Sequence, residues 1–470
     1  MDMIAHSLMV FLTNLSSSLT TEAQVSFGAR LQQIFQASCD MLTQIIPALL
    51  ARIDDTIAED PQRMKEWRIL RTDERVMVTR FGELRFKRRY YQHKTTGETV
   101  YLLDKALGIP SHAKVSDDVR QEAVVSAESS SYAKSARIAS VSCISKMSVC
   151  NYVADLDHFP KLETKGGKRT VKRTVKRLYV EADEDHVSLQ DGRKVQKKLV
   201  YIHEGARDEG KRRILLNPTY LTWPLNGSSE ALWETVSNYI EEQYVSEAIE
   251  EIFLSGDSAP WIREGEHWLY PCVPILDGFH SMKALRSLCA DNTGRIHELM
   301  SLMRTDRRDE AVALCQTILR ETPEKQRKGK SAQAKYLLNN WQRIRNQRHP
   351  GAQGCSAEGH VSHILSARLS SRPKGWSQHN LENMAGLRVM KANGQLIDYA
   401  QLSKTRTPQK GAESSAEVKV LIQSKKLRKN LNKASKSLIV ASCGSIPLLT
   451  TGKTSPLYQA LHALSHFSVA

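Results

Sequence analysis

The sequence lacks the features that mark zinc-binding, secreted or membrane-spanning proteins. Its eight cysteines are scattered and none forms a CxxC pair, so a zinc site of the usual spacing is not indicated. The N-terminal run MIAHSLMVFLTNL has no basic start, and no apolar run approaches the roughly 18 residues of a membrane span. We therefore expect no signal peptide, no membrane partner and a reducing, cytoplasmic setting.

Positive charge is what the sequence has in excess. Its 470 residues include 67 Lys and Arg against 51 Asp and Glu, a net charge of +16. The cations cluster in KLETKGGKRTVKRTVKR (161–177), SKTRTPQK (403–410) and QSKKLRKNLNKASK (423–436). Clustered cations favour a polyanionic partner, because phosphates that they neutralise release counterions. Solvated linkers and tails are the alternative interpretation.

Two regions precede the first basic cluster. Residues 1–70 have apolar residues at helical spacing, which predicts a packing or oligomerisation helix. Residues 71–160 begin with three expected strands, separated by the turns RFGE and TTGE. The middle strand, LRFKRRYY, interleaves basic and aromatic residues, which suits either a nucleic-acid-binding face or a half-exposed strand.

The segment from Val125 to Leu156 has helix-turn-helix character. Its inner face would consist of small and branched apolar residues: Ala136, Ala139, Ile144, Val149 and Val153. Ser145 is placed to cap the second helix. Three polar residues of that helix would then point outward, toward DNA: Lys146, Ser148 and Asn151. A plain helical hairpin would give the same pattern.

The remainder of the chain follows a different pattern. After a basic linker (161–177), residues 178–282 alternate strand and helix, as in a mixed α/β sheet. Residues 283–348 are helical, broken only near TPEKQ, and resemble an insertion into the sheet domain. Residues 349–400 close the core, and residues 401–470 form a basic, Ser-rich tail that we expect to be loosely ordered.

Three carboxylates stand where strands or helix starts meet loops: Asp183 in YVEADEDHV, Asp257 in IFLSGD and Glu358 in AEGHVSHIL. Charges beside apolar strands are costly unless paired or metal-bound, and adjacent carboxylates invite Mg²⁺ or Mn²⁺. Two such ions can clamp both oxygens of a phosphodiester displacement. Each residue also has a plain interpretation: a solvent-facing strand position with Asp185 as competitor, a turn, and a helix first turn.

The order of these motifs resembles the ISLre-type insertion-sequence transposases, which are similar to Mutator-like transposases. The likeness runs from about Glu66 to about Arg388 and rests on GDSAPWI and EGHVSHILSARLSSRPKGWS. It implies an α/β fold with an RNase H-like core that contains a helical insertion. It also implies an Asp-Asp-Glu triad of Asp183, Asp257 and Glu358, and a pair of Mg²⁺ or Mn²⁺ ions.

The Mutator-like relatives also carry a Cys-or-Asp, two residues, His signature, which DGFH matches with Asp277 and His280. His280 would contact a phosphate or orient a neighbouring group, or would be a buried structural histidine. Four residues near the last motif are further DNA-binding candidates: Arg368, Arg372 and Lys374 for phosphates and Trp376 for base stacking. A core tryptophan is the more common outcome for Trp376.

The sequence thus predicts a DNA transposase that recognises terminal inverted repeats, cleaves double-stranded DNA and joins it to a target. Synapsis of two ends predicts a homo-oligomer, and the bacterial nucleoid is the expected location. A non-catalytic DNA-binding protein is one alternative. A host-serving RNase H-like nuclease or recombinase is another.

Overall fold

The computed structural model describes residues 26–142, 144–160, 171–210, 212–372 and 374–403, together with Ser7, Val10, Phe11, Asn14 and Leu15. Most of the expected linker (161–170) and tail (404–470) lie outside the described residues. The described chain is a mixed α/β protein, as the sequence predicts, with a three-stranded, a five-stranded and a two-stranded sheet.

The N-terminal region is a long helix docked on an antiparallel hairpin. Its elements are α1 (Phe27–Glu59), α2 (Pro61–Glu66), β1 (Trp67–Thr79), β2 (Gly82–His93), β3 (Thr99–Val100) and α3 (Leu102–Leu107). The third expected strand is wrong over most of its length, because the chain turns into α3 after two strand residues. Leu103 is fully buried there, against Leu84 and Phe86 of the hairpin.

By length and composition α1 is apolar enough to cross a membrane, contrary to the expectation from the sequence. One side of its C-terminal half packs Ile46 and Leu50 on the hairpin, and the buried Asp54 pairs with Arg89 at 2.8 Å. These contacts are those of a helix docked on a sheet.

The basic residues of LRFKRRYY are largely held by acidic partners within the fold. Arg88 pairs with Asp104, which also accepts from Arg75 at 2.5 Å, and Arg89 pairs with Asp54. The Arg88 guanidinium also lies 3.6 Å from the centre of the Tyr101 ring. This part of the strand therefore serves the packing of the hairpin and leaves little free charge for phosphates.

Three helices follow: α4 (Asp117–Ser129), α5 (Tyr132–Ala139) and α6 (Lys146–Ala154). The predicted inner face is confirmed, because Ala136, Ala139, Val149 and Val153 are buried and Ile144 packs against them. The predicted cap is confirmed as well: the Ser145 hydroxyl accepts the Ser148 N–H at 2.9 Å. A DNA-binding role for this helical pair stays a prediction.

The central sheet is built from β4 (Arg177–Ser188), β5 (Lys194–His203), β8 (Thr219–Thr222), β9 (Glu251–Gly256) and β10 (Cys272–Leu276). The strand order is β10-β9-β4-β5-β8. Strands β4, β9 and β10 are mutually parallel, whereas β5 runs antiparallel to both β4 and β8. A separate hairpin consists of β6 (Ala206–Glu209) and β7 (Arg212–Leu215). Parallel neighbours bring the carboxyl ends of β4, β9 and β10 to one edge.

Helices cover both faces of the sheet. On one face, α7 (Ser229–Gln243) buries Trp233 against Val180 and Ala182 of β4. On the other lie α14 (Ala357–Val361), a π-helical turn (Ser362–Ser366), α15 (Ala367–Leu369), α16 (Gln378–Ala392) and α17 (Tyr399–Leu402). Their apolar residues share a core with Val187 of β4 and with Leu189, which directly follows the strand.

The predicted helical segment has its own core. It contains α9 (Gly278–Cys289), α10 (Thr293–Arg304), α11 (Arg308–Glu321), α12 (Glu324–Asn339) and α13 (Trp341–Arg345), while the short α8 (Pro260–Glu264) joins β9 to β10. The helices break after Arg304 and at Asn340 as well as near TPEKQ, so the expectation of one break was too simple.

Candidate functional site

The site lies where β9 and β10 end beside β4, and it contains three aspartates. Asp183 lies within β4, which continues to Ser188. In the β4–β9 pairing Glu181 is opposite Ser255, so Asp183 and Asp257 follow two residues later on adjacent strands. Asp277 comes directly after β10, and its N–H donates to the Gly256 carbonyl at 2.8 Å. The topology therefore brings together three carboxylates, the first and last of which are 94 residues apart in the sequence.

Gly256 allows β9 to approach β4 this closely. A Cβ at this position would lie 2.6 Å from the Ala182 carbonyl oxygen and 2.8 Å from Ile262 Cδ1. Asp257 then turns away from the strand: its carboxylate accepts the Ala259 N–H at 2.7 Å, and its carbonyl accepts the Tyr336 hydroxyl at 2.6 Å. The motif GDSAP therefore forms a turn, and this turn positions the Asp257 carboxylate at the site.

The environment of Asp183 disfavours its negative charge. The pKa of the Asp183 carboxyl is raised from 3.8 to about 6, mainly by burial and also by the charge of Asp257, against the lowering effects of the Glu184 N–H and His280. Burial also raises the pKa of Asp277, with Glu181 and Glu358 adding to the effect. A cluster with raised carboxyl pKa values gains stability from a cation.

Glu358 and Asp277 both line a cleft of about 450 Å³. Its helix, α14, packs on β4, and the charge of Glu358 acts on the Asp277 carboxyl. Phe279 stands at the same cleft and is 51% exposed, with the Lys283 ammonium 5.8 Å from its ring centre. Sequence reasoning passed over this aromatic residue because only its neighbours in DGFH carried a signature.

Asp183 and Asp185, the two candidates for the first carboxylate, have different surroundings in the structure. Both point to the same face of β4, but Asp185 is only 5% exposed and accepts hydrogen bonds from the hydroxyls of Ser366 and Ser370. Asp183 accepts the N–H of its own neighbour, Glu184, and lies beside Asp257. Asp183 is therefore the carboxylate available to a ligand.

Carboxylate oxygens suit a hard cation, and Asp183 and Asp257 supply them from adjacent strands. Within the described part of the chain, however, no three His, Cys, Asp or Glu side chains are grouped closely enough to hold a metal ion. Glu358 thus faces the cleft without completing a ligand set with the two aspartates. A glutamate side chain has three rotatable bonds, so rotamer changes can extend its reach while its helix stays in place.

A buried polar network beneath α14 was not foreseen from the sequence. Glu181 is 3% exposed and accepts from the Tyr201 hydroxyl at 2.5 Å, from His203 Nε2 at 3.1 Å and from the Ser356 N–H at 2.6 Å. The alternation of acidic residues in VEADEDHV was the only available signal, because Ser356 is 175 residues from Glu181.

Two candidate DNA-binding residues lie in the core instead. Arg368 is 6% exposed, donates to the Ala127 carbonyl at 3.0 Å and lies over the rings of Tyr132 and Trp376. Trp376 is also 6% exposed and donates to the Leu369 carbonyl. The phosphate and stacking roles expected for these two residues do not fit this burial.

The remaining candidates stay at the surface. Arg372 is exposed, and Lys374 is half-buried and donates to the Arg368 carbonyl at 3.2 Å. On α6, Lys146 and Asn151 are exposed and Ser148 is half-buried. His280 is half-buried at the first turn of α9, where it acts on Asp183 and Asp277.

The fold and the site define a mixed α/β protein in which Asp183 on β4 lies beside the carboxyl ends of β9 and β10, where Asp257 and Asp277 follow. Residues 21–406 match the model of an uncharacterised protein family, UPF0236, and the chain belongs to that family. A UPF0236 protein of Caldanaerobacter subterraneus subsp. tengcongensis is 33% identical over 91% of this chain and 89% of the relative. A UPF0236 protein in the vanSb 3' region of Streptococcus gallolyticus is 24% identical over 89% and 92%.

Proposed function

We propose that this protein is the DNA transposase of an insertion sequence, with Asp183, Asp257 and Glu358 as its catalytic carboxylates. The observation that carries the proposal is the adjacency of Asp183, on β4, and Asp257, directly after the parallel strand β9, with Glu358 at the cleft that Asp277 lines. An acidic residue such as Asp183, whose charge is disfavoured by burial and by a neighbouring carboxylate, is typical of a functional site.

The strand order supports an RNase H-like core. Three antiparallel strands come first in the chain, a helix follows, and two parallel strands then join on the other side of β4. This arrangement makes β4 the central strand and puts Asp183 beside the end of β9. This arrangement supports the RNase H-like core that we propose.

Two further observations support a mobile element that acts on DNA. The net charge of +16 suits a long polyanion, whose binding is driven by counterion release. The printed name of one Caldanaerobacter relative joins eleven locus designations in one bacterium, as expected if that sequence occurs in many copies. We propose that the present chain is likewise a repeated element's product, acting at the bacterial nucleoid.

The proposal assigns separate cation-binding and DNA-binding roles to residues of the chain. Asp183 and Asp257 would hold Mg²⁺ or Mn²⁺, and Glu358 would be the third carboxylate ligand. Asp277 and His280 would adjust the local charge. Two bound ions would activate the attacking oxygen and stabilise the leaving oxygen at a phosphodiester. Lys146, Ser148 and Asn151 on α6 would contact the terminal inverted repeats, and Arg372 and Lys374 would contact phosphates.

The proposal includes a homo-oligomer, because two DNA ends must be held together. The exposed apolar residues Phe27, Leu31 and Phe35 recur every four positions along α1 and form the candidate interface. A host-serving nuclease with the same core is the second candidate function. Inverted repeats that flank the gene favour the transposase over that nuclease.

The test is metal-dependent cleavage of DNA that carries the candidate inverted repeats. We expect wild-type protein with Mg²⁺ to cut at the repeat ends, and Asp257→Asn to lose activity by at least about 10²–10³-fold. Asp191→Asn is the matched control, because Asp191 is an exposed carboxylate on the β4–β5 turn. Equal cleavage by Asp257→Asn and wild type would refute the assignment.

A further inference from the structure

Two buried carboxylates flank Asp183 on the same face of β4, and both are bound to one segment of the chain. Because side chains alternate along a strand, Glu181, Asp183 and Asp185 all face the helices packed on that side. The bound segment runs from Ser356 to Ser370 and carries Glu358 near its start.

Glu181 holds the beginning of this segment. One carboxylate oxygen accepts both the Ser356 N–H at 2.6 Å and the Ser356 hydroxyl at 3.2 Å. Ser356 directly precedes α14, so this bond fixes the helix two residues before Glu358. The second oxygen accepts from His203, which is itself fully buried.

Asp185 holds the end of the segment. One of its oxygens accepts from the Ser366 hydroxyl at 2.9 Å and from the Ser370 hydroxyl at 2.7 Å. Residues four apart lie on one side of a helix, so both hydroxyls reach the same carboxylate. A π-helical turn over Ser362–Ser366 lies between the two attachment points.

We propose that Glu181 and Asp185 are positioning residues, which fix the segment 356–370 on β4 so that Glu358 is held at the cleft that Asp277 lines. The inference rests on the proposed function, since it concerns how the third carboxylate of that site is held. It assigns different roles to three acidic residues of one strand: Asp183 would bind the cation, and its two neighbours on the same face hold the segment that carries Glu358.

The roles are separated by conservative and non-conservative variants of each residue. An amide keeps a carbonyl oxygen that accepts hydrogen bonds, so Glu181→Gln and Asp185→Asn should retain the attachment. Glu181→Ala and Asp185→Ala remove it. A cation ligand behaves differently, because Asp183→Asn loses the negative charge that holds the ion. Asp191→Ala is the matched control on the same hairpin.

The first measurement is amide hydrogen exchange of residues 357–370 in metal-free protein. We expect the two alanine variants to exchange at least about tenfold faster in this segment, with the amide variants and the control close to wild type. Unchanged exchange in both alanine variants would overturn the attachment. If an alanine variant does not fold, Ser366→Ala with Ser370→Ala removes the donors to Asp185 instead.

The second measurement is Mn²⁺ binding, followed by electron paramagnetic resonance of the free ion. We expect roughly 10–100-fold weaker binding in the alanine variants, near wild-type binding in the amide variants and the loss of binding in Asp183→Asn. If Asp185→Asn loses Mn²⁺ binding as Asp183→Asn does, the inference is overturned, because Asp185 would then be a ligand. Wild-type protein that binds no Mn²⁺ would instead refute the metal-dependent function, and with it the positioning role, while the exchange data would still decide the attachment.

Discussion

The N-terminal hairpin and the ends of the parallel strands differ in how their charged side chains are arranged: the hairpin pairs opposite charges, and the strand ends bring like charges together. In the hairpin, Arg75 and Arg88 share the carboxylate of Asp104, so each buried guanidinium has an acidic partner within the fold. At the strand ends, Asp183 and Asp257 lie side by side, and the charge of Asp257 disfavours that of Asp183. Paired buried charges serve the fold, whereas a concentration of one sign is open to a ligand of the other sign. The cation-rich motif is therefore mainly structural, and the acid-rich site is the better functional candidate.

The largest expected effect comes from removing the carboxylate that the two buried arginines of the hairpin share. Asp104→Ala leaves two arginines buried without their carboxylate, and we expect a loss of about 3–5 kcal/mol in the free energy of unfolding. Urea denaturation measures it. Arg85→Ala is the control, because Arg85 pairs with Glu83 at the surface and should change stability by less than about 0.5 kcal/mol. Equal effects would contradict the structural role of the buried charges.

The strand ends should respond to pH instead. The pKa of Asp183 is raised from 3.8 to about 6 in the folded state, so the folded protein binds this proton more tightly than the unfolded chain. The resulting stability is fully present below about pH 4 and is lost as the pH rises to about 6, by about 2–3 kcal/mol. Asp183→Asn should flatten this part of the stability profile, measured in EDTA. A profile identical to wild type would show that Asp183 is not perturbed.

The smallest expected effect concerns the surface of α6. Lys146→Ala should weaken binding to DNA with little dependence on sequence, and should lower the slope of log affinity against log salt by about one. Its stability should stay within about 0.5 kcal/mol of wild type, because Lys146 is exposed. Arg193→Ala, on the β4–β5 turn, serves as a control. An unchanged salt slope would remove α6 from the DNA-binding surface.

Local patterns in the sequence predicted local structure well. The cap at Ser145 and the buried face of α5 and α6 follow from spacing within a few residues, and both are confirmed. The strand alternation around Asp183 and the turn at Asp257 also follow from short motifs. These elements depend on contacts between near neighbours, which a single sequence carries.

Contacts between distant residues could not be predicted in the same way. The residues around Arg88 do not indicate that Asp104 is its partner. The sequence LRFKRRYY therefore resembled a basic surface, although its arginines are paired with acidic residues. Trp376 and Arg368 sit in a conspicuous motif, but the helices that bury them come from a region more than 200 residues earlier. Glu181 was missed because its role depends on Ser356, which only the folded chain brings near.

The central claim is that Asp183, and not its neighbour Asp185, carries the chemistry of this site. The most direct test compares Asp183→Asn and Asp185→Asn for Mg²⁺-dependent cleavage of DNA that carries the repeat ends. We predict that Asp183→Asn loses at least about 10²-fold in rate, whereas Asp185→Asn keeps most of the activity because its amide oxygen still accepts from Ser366 and Ser370. Full activity in Asp183→Asn, or its loss in Asp185→Asn alone, would contradict the account.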